Sequence, residues 1–301
     1  MYWAKEVSKS KSILFALYIL FLTCYTDCMD IKVILVKAFT THKDAGNPAG
    51  VILNADNLST EQMQAIATRL GFSESVFVCK SEAADCKMRY FSVTQEVDYC
   101  AHATVAAVHV LKDIKSHETR AGIFSLSIDK QDKVTIAQKA PEFGEMLNDW
   151  IIAHALGIQV DEMGKYPEVV STGVPKLIVG VKTLDTLFRI RPNFEEIKRL
   201  CRAVGARGVY VFTAETILET SDYHARQFNP LCGINEDPVT GIAAGALAAY
   251  IAVSADDNTA EIVIEQGYCM DKFGIIEAHV NEDKVLIKGN AVIYGEQIIT
   301  L

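Results

Sequence analysis

The chain has 301 residues, half of them apolar, and a formal net charge of −9. That length supports two domains or one large one, and the apolar share supports a sizeable core. With no basic stretch, the composition argues against a nucleic-acid partner, so any bound anion must be held locally, by backbone amides or a few placed side chains.

Residues 1–28 open with Lys5, Lys9 and Lys11 and run into an apolar segment from Ile13 to Tyr25. A basic flank before a short apolar core is signal-peptide-like and too short for a membrane span. No Ala-x-Ala cleavage site follows, and the strand-like IKVILVKAF begins just after Met29, so Met29 as the true start is the competing reading. This leader or gene-model extension is set apart from the fold. The eight cysteines show no C-x-x-C pair, so zinc spacing is absent. Scattered thiols point to a reducing, cytoplasmic compartment, with the secretory pathway as the alternative if the leader is real.

Past the first strand, Gly46-Asn47-Pro48 precedes the apolar run Gly50 to Leu53. A helix follows: Ser59 is its N-cap, Gln62 the capping-box partner, Met63, Ile66, Ala67 and Leu70 its apolar face, and Gly71 its stop. Next come a strand at Ser75 to Cys79, a strand ending at Phe91, and Cys100-Ala101-His102 leading into an Ala-rich helix. His109 lies two turns deeper on that helix and reads as core; His117 and Glu118 read as a polar loop.

The later residues repeat this order. Ser171-Thr172-Gly173 is a strand end, and Gly173-Val174-Pro175 precedes Leu177 to Val181. A helix spans about Asn193 to Val204 with Gly205 as stop, then come strands at Val209 to Thr213 and up to Phe228. Nine residues beyond Phe91 and Phe228 stand Cys100 and Asp237, and Thr104 to Ala107 superpose on Gly241 to Ala244. The chain is therefore two copies of one unit. The halves are placed at 29–145 and 146–301, with the last strands returning to the first half. The Ala-rich helices carry little polar surface, so each reads as a buried rod wrapped by a sheet. The fold class is α+β: two pseudo-symmetric halves, each a curled sheet or half-barrel around a central helix. Their N-termini, facing one cleft, would attract a small carboxylate.

GNPAGVIL (46–53), GFSESVFV (71–78), YCAHATVAAVHVL (99–111), STGVPKLIVGV (171–181) and EDPVTGIAAGALAAYI (236–251) together resemble the PhzF family of phenazine biosynthesis-like isomerases, which have the diaminopimelate epimerase-like fold. The resemblance implies acid/base isomerisation without metal or organic cofactor, and a homodimer. It places catalysis on Glu74, His102 and Asp237, and substrate contacts on Asn47, Ser73, Ala101, Ala103, Ser171, Thr172, Gly173, Thr240 and Gly241. Two positions depart from the family pattern: Ala101 stands where Gly is usual, and Ile242 where Ser is usual.

The repeat supports Glu74 independently. Counted from Gly71 and Gly205, it matches Gly208, so only one half offers a carboxylate there. A single carboxyl group can carry a 1,3 proton shift if its pKa lies near the working pH. His102 would donate to substrate or shuttle a proton; Asp237 would orient His102 or hold a substrate amine. In related racemases two opposed thiols act as bases. Here the second half offers Asp237-Pro238 instead, so Cys100 reads as a buried bystander. An epimerase would need an opposed base, and a non-catalytic binding protein using an inherited cleft is the other alternative.

Overall fold

A computed structural model describes residues 29–164, 167–255 and 258–301. The signal-like leader lies outside the described residues. Residues 33–297 form one unit; of the other, the described residues are 29–32 and 298–301, where Leu301 N–H donates to Met29 O at 3.1 Å.

The first half runs β1 (Asp30–Ala38), β2 (Asn47–Ile52), α1 (Thr60–Leu70), β3 (Glu74–Cys79), β4 (Cys86–Ser92), β5 (Glu96–Val97), α2 (Ala101–Leu111), β6 (Ser116–Thr119), β7 (Gly122–Ile128), β8 (Val134–Ala137) and β9 (Glu142–Met146). The second runs α3 (Asp149–Leu156), β10 (Glu168–Ser171), β11 (Lys176–Gly180), α4 (Leu184–Arg189), α5 (Phe194–Val204), β12 (Val209–Thr213), β13 (Tyr223–Asn229), β14 (Ile234–Asp237), α6 (Gly241–Ser254), β15 (Thr259–Gln266), β16 (Gly274–Asn281), β17 (Lys284–Gly289) and β18 (Ala291–Thr300).

The repeat is one of pairing as well as of order. β2 and β3 are parallel, β3 and β4 antiparallel, and β4 and β6 parallel across α2. β11 and β12, β12 and β13, and β13 and β15 repeat the pattern across α6. The return of late strands to the early half occurs at β17, which pairs with β8 (Leu286↔Ala137). β9 crosses the other way and pairs with β10.

Local signals explain the outer helices. Ser59 and Gln62 complete their capping box, and Gly71 ends α1 in the left-handed region at φ 68°. α2 and α6 form for a different reason. Alanine loses no side-chain entropy in a helix, and its small girth lets strands close around it. Val105 through Val108 and Ala243, Ala244, Ala246 and Leu247 are fully buried in the shared core. A second cluster, under α3, α4 and α5, gathers Ile152, Leu156, Leu187, Ile197, Cys201 and Phe228. Among the described residues no helix is long and apolar enough to cross a membrane.

Two histidines exchange their expected places. His109 is half-buried at the end of α2, beside Lys112, where the rod meets solvent. His117 is on a strand, not in a polar loop. β6 pairs with β4 (Cys86↔His117), and that register turns the ring inward against Tyr99 and Phe124. Burial pushes its pKa from 6.5 down to about 4. The unfolded chain thus binds more protons across that window, and stability falls as pH falls through it. The expected loss is on the order of 3 kcal/mol. His117→Phe keeps the ring and removes the titration, so urea unfolding compared at neutral and acidic pH will give a flatter profile than wild type.

Candidate active site

The two central helices meet tip to tip. A Cβ added at Gly241 would stand 3.0 Å from Ala101 Cβ and 2.7 Å from Phe39 Cζ, so only a residue without a side chain fits there. Both tips line a cleft of about 690 Å³ that also receives Glu74, His102, Asp237, Thr240 and Gly173.

Capping distinguishes these tips from the other helices described. Ser59, Asn148, Thr183 and Asn193 cap α1, α3, α4 and α5 with side-chain oxygens. Cys100 and Thr240, the N-caps of α2 and α6, make no such bond. At α2 the Ala103 amide interacts with Cys100, whereas the first-turn amides of α6 that a cap would satisfy are left for another acceptor. A helix N-terminus favours an anion by about 0.3–1 kcal/mol, and by up to ~2 when partly buried.

Glu74 begins β3, where its neighbour across the sheet is Ala49. Its side chain keeps 17% exposure, and Oε2 lies 3.8 Å from His102 Nε2. Burial pushes its pKa above the usual carboxylate range; His102 opposes the shift and Asp237 adds to it. A carboxyl group whose pKa is raised in this way is better matched to accepting and returning a proton. His102, 5% exposed, is held by Cys100 Sγ at 3.3 Å from Nδ1 and Ser73 Oγ at 3.4 Å from Nε2.

Asp237 does not orient His102. It closes the short strand β14, which sequence reasoning did not anticipate, and accepts from Asn47 Nδ2 at 2.9 Å and from Thr240 Oγ1. Gln266 Nε2 donates to its main-chain oxygen at 2.8 Å. Asn47, expected to touch substrate, is fully buried and donates its amide to Asp237 and to Val239 O. These two bonds tie it to the aspartate and to the turn that follows. Thr172 is likewise turned inward, donating to Gln138 Oε1 at 2.5 Å, and Ser171 accepts from Gly173 N–H at 3.2 Å. Ser73 Oγ lies 3.4 Å from both Asn47 Oδ1 and His102 Nε2, and Ala103 is fully buried. Of the expected contacts, Ala101, Gly173, Thr240 and Gly241 line the cleft.

Glu74, Cys100 and His102 each present one donor atom within 4.8 Å of the others, a set that could hold a metal ion. Burial, followed by the charge of Glu74, pushes the Cys100 thiol well above its ordinary pKa. That opposes the thiolate that metal ligation or nucleophilic attack requires. Lys176 was missed altogether. It is 3% exposed, lines the cleft and donates to Asn229 Oδ1 at 3.2 Å. The signal was a lone charge at the head of the apolar run Leu177 to Val181.

Two half-barrels around buried helices, with both helix tips on one acid-bearing cleft, define a protein of the diaminopimelate epimerase-like fold. The model of the phenazine biosynthesis-like protein family, PhzC-PhzF, matches residues 36–297, and the chain belongs to that family. An uncharacterized isomerase of Clostridium acetobutylicum is 38% identical over 295 residues, covering 88% of this chain and 97% of its own. A PhzF-family phenazine biosynthesis protein of Bacillus anthracis superposes with a TM-score of 0.84 at 34% identity, over 91% of this chain and 100% of its own. A probable proline racemase of Agrobacterium radiobacter has the same fold, at a TM-score of 0.59 and 11% identity, over 90% of this chain and 93% of its own.

Proposed function

We propose that the chain catalyses a 1,3 proton shift on a small carboxylate-bearing metabolite without a cofactor. Glu74 takes a proton from carbon and returns one to a nearby carbon. His102 donates to the substrate atom that gains charge, and Asp237, fixed by Asn47 and Thr240, faces the substrate's polar end. The observation that carries this reading is Glu74 itself: an acid of raised pKa, near His102, on the wall of the cleft that both helix tips enter. Carbon-bound proton exchange in deuterated water, followed by NMR in wild type and Glu74→Gln, tests it.

The same reading carries a homodimer in the cytoplasm. Met146, Trp150 and Ile151 are exposed at 69%, 59% and 46%, an apolar strip suited to a partner surface. Six cysteines of the described residues are free, as in a reducing compartment. Light scattering of the purified chain checks the assembly.

A further inference from the structure

Proton transfer by Glu74 leaves Lys176 without a task. Its ammonium is bonded to a neutral amide; among the described residues Asp237 and Glu74 act on it through space, but neither forms a direct ion pair with it. A buried charge without a direct ion-pair partner is costly. A fold that keeps one beside a cleft keeps it for an anion that arrives.

Pseudo-symmetry gives the position its meaning. In the first half Ala49 and Glu74 are cross-strand neighbours. The matching neighbours in the second half are Lys176 and Gly208, whose carbonyl accepts from Leu177 N–H at 2.9 Å. Gly208 cannot carry an acid: a Cβ there would lie 2.1 Å from Asn229 Oδ1, the atom that holds Lys176, and 2.5 Å from Gln227 Nε2. One copy therefore lines the cleft with an acid, and the other lines it with an ammonium one strand over from the matching position.

We infer that Lys176, together with the uncapped first turn of α6, is the subsite for the substrate's carboxylate, so that the second half holds the anion and the first half moves the proton. The location of the reacting carbon rests on the proton-transfer reading; the anion subsite does not. The neutral amide analogue of a substrate would lose the ammonium contact, so the subsite selects acids over amides.

The test is thermal unfolding of the full chain titrated with succinate, and with succinamide as the uncharged probe, at constant ionic strength. Wild type and Glu74→Gln are expected to show a saturable rise in midpoint with succinate and none with succinamide. Lys176→Met and Lys176→Gln are expected to raise the half-saturating succinate concentration by about tenfold to a hundredfold, the worth of one charge-assisted hydrogen bond. Without ligand, Lys176→Met is expected to melt no lower than wild type, because it removes an unpaired buried charge; a merely structural lysine would lower the midpoint. A wild type that ignores succinate, or lysine variants that respond as wild type does, overturns the subsite. Loss of proton exchange in Glu74→Gln alongside unchanged succinate binding in Lys176→Met would sink the subsite and leave the isomerase standing. The opposite pair of results would do the reverse.

Discussion

Glu74→Gln is expected to lower the rate of carbon-bound proton exchange by about 10²–10⁴-fold, the usual worth of a positioned acid/base group. The amide is close in shape to the acid, so the cleft and the His102 contact are retained while the transferable proton is lost. The same variant is expected to melt higher than wild type at pH above the folded pKa of Glu74. The folded pKa of Glu74 is raised above its ordinary 4.5. Its contribution to stability is therefore fully present below that value and is lost as pH rises through the folded pKa. Above that folded value the ionised, largely buried carboxylate is a cost that Gln does not incur. Activity and stability thus move in opposite directions, as expected where a site is held in a strained charge state. The acid limb of the exchange profile should also lie above the ordinary carboxylate range. Equal exchange in wild type and Glu74→Gln would remove Glu74 from the chemistry, and a lower melting point would assign it a structural task.

Glu265→Ala carries the largest expected loss of stability. Glu265 and His224 are both fully buried neighbours in the β13–β15 register, with Nδ1 and Oε1 2.6 Å apart. The carboxylate also accepts from the amides of Ile217 and Leu218, at 2.6 and 3.0 Å. Truncation leaves the histidine and two amides without an acceptor, and breaking a buried pair in this way costs about 3–5 kcal/mol. In a chain of this size that is a fall in melting temperature on the order of 10 °C, read by calorimetry. Gln266, which braces Asp237 and Thr240, is the next residue, so substrate binding should weaken as well. Glu265→Gln keeps an acceptor for the amides and should recover part of the loss. Burial alone would raise the Glu265 pKa, but the bonds from His224 and the two amides outweigh it and hold the group below 4.5. Its stabilisation is therefore present above that pH and is lost as pH falls through the folded value. A Glu265→Ala melting point within a degree or two of wild type would show that the dyad holds nothing together.

Much of this could be read without coordinates, for a physical reason. Duplication leaves a periodic trace, and two alanine-rich runs at equal distances from matching glycines imply two buried rods before any packing is known. Glu74 stood out because its counterpart is Gly208, an asymmetry visible by counting. Side-chain roles were less legible where partners come from distant strands. Asn47 looked like a substrate contact because its bond to Asp237 spans 190 residues. Asp237 looked like a partner of His102 because both start a central helix, yet the chain turns through β14 and delivers the carboxylate to Asn47 and Thr240. His117 looked like a loop residue because its polar neighbours hide a four-residue strand, and only the pairing with β4 turns the ring inward.

What the chain of residues determined by itself is the architecture: apolar periodicity, caps and stops, and a doubled order of elements depend on contacts local enough to be written locally. What only the tertiary structure decided is charge. Whether Lys176 meets a carboxylate, whether Glu74 is desolvated and whether a helix tip is capped depend on which distant groups come within a few ångströms. Electrostatic energy in a buried cleft is set by those distances, and sequence separation does not encode them.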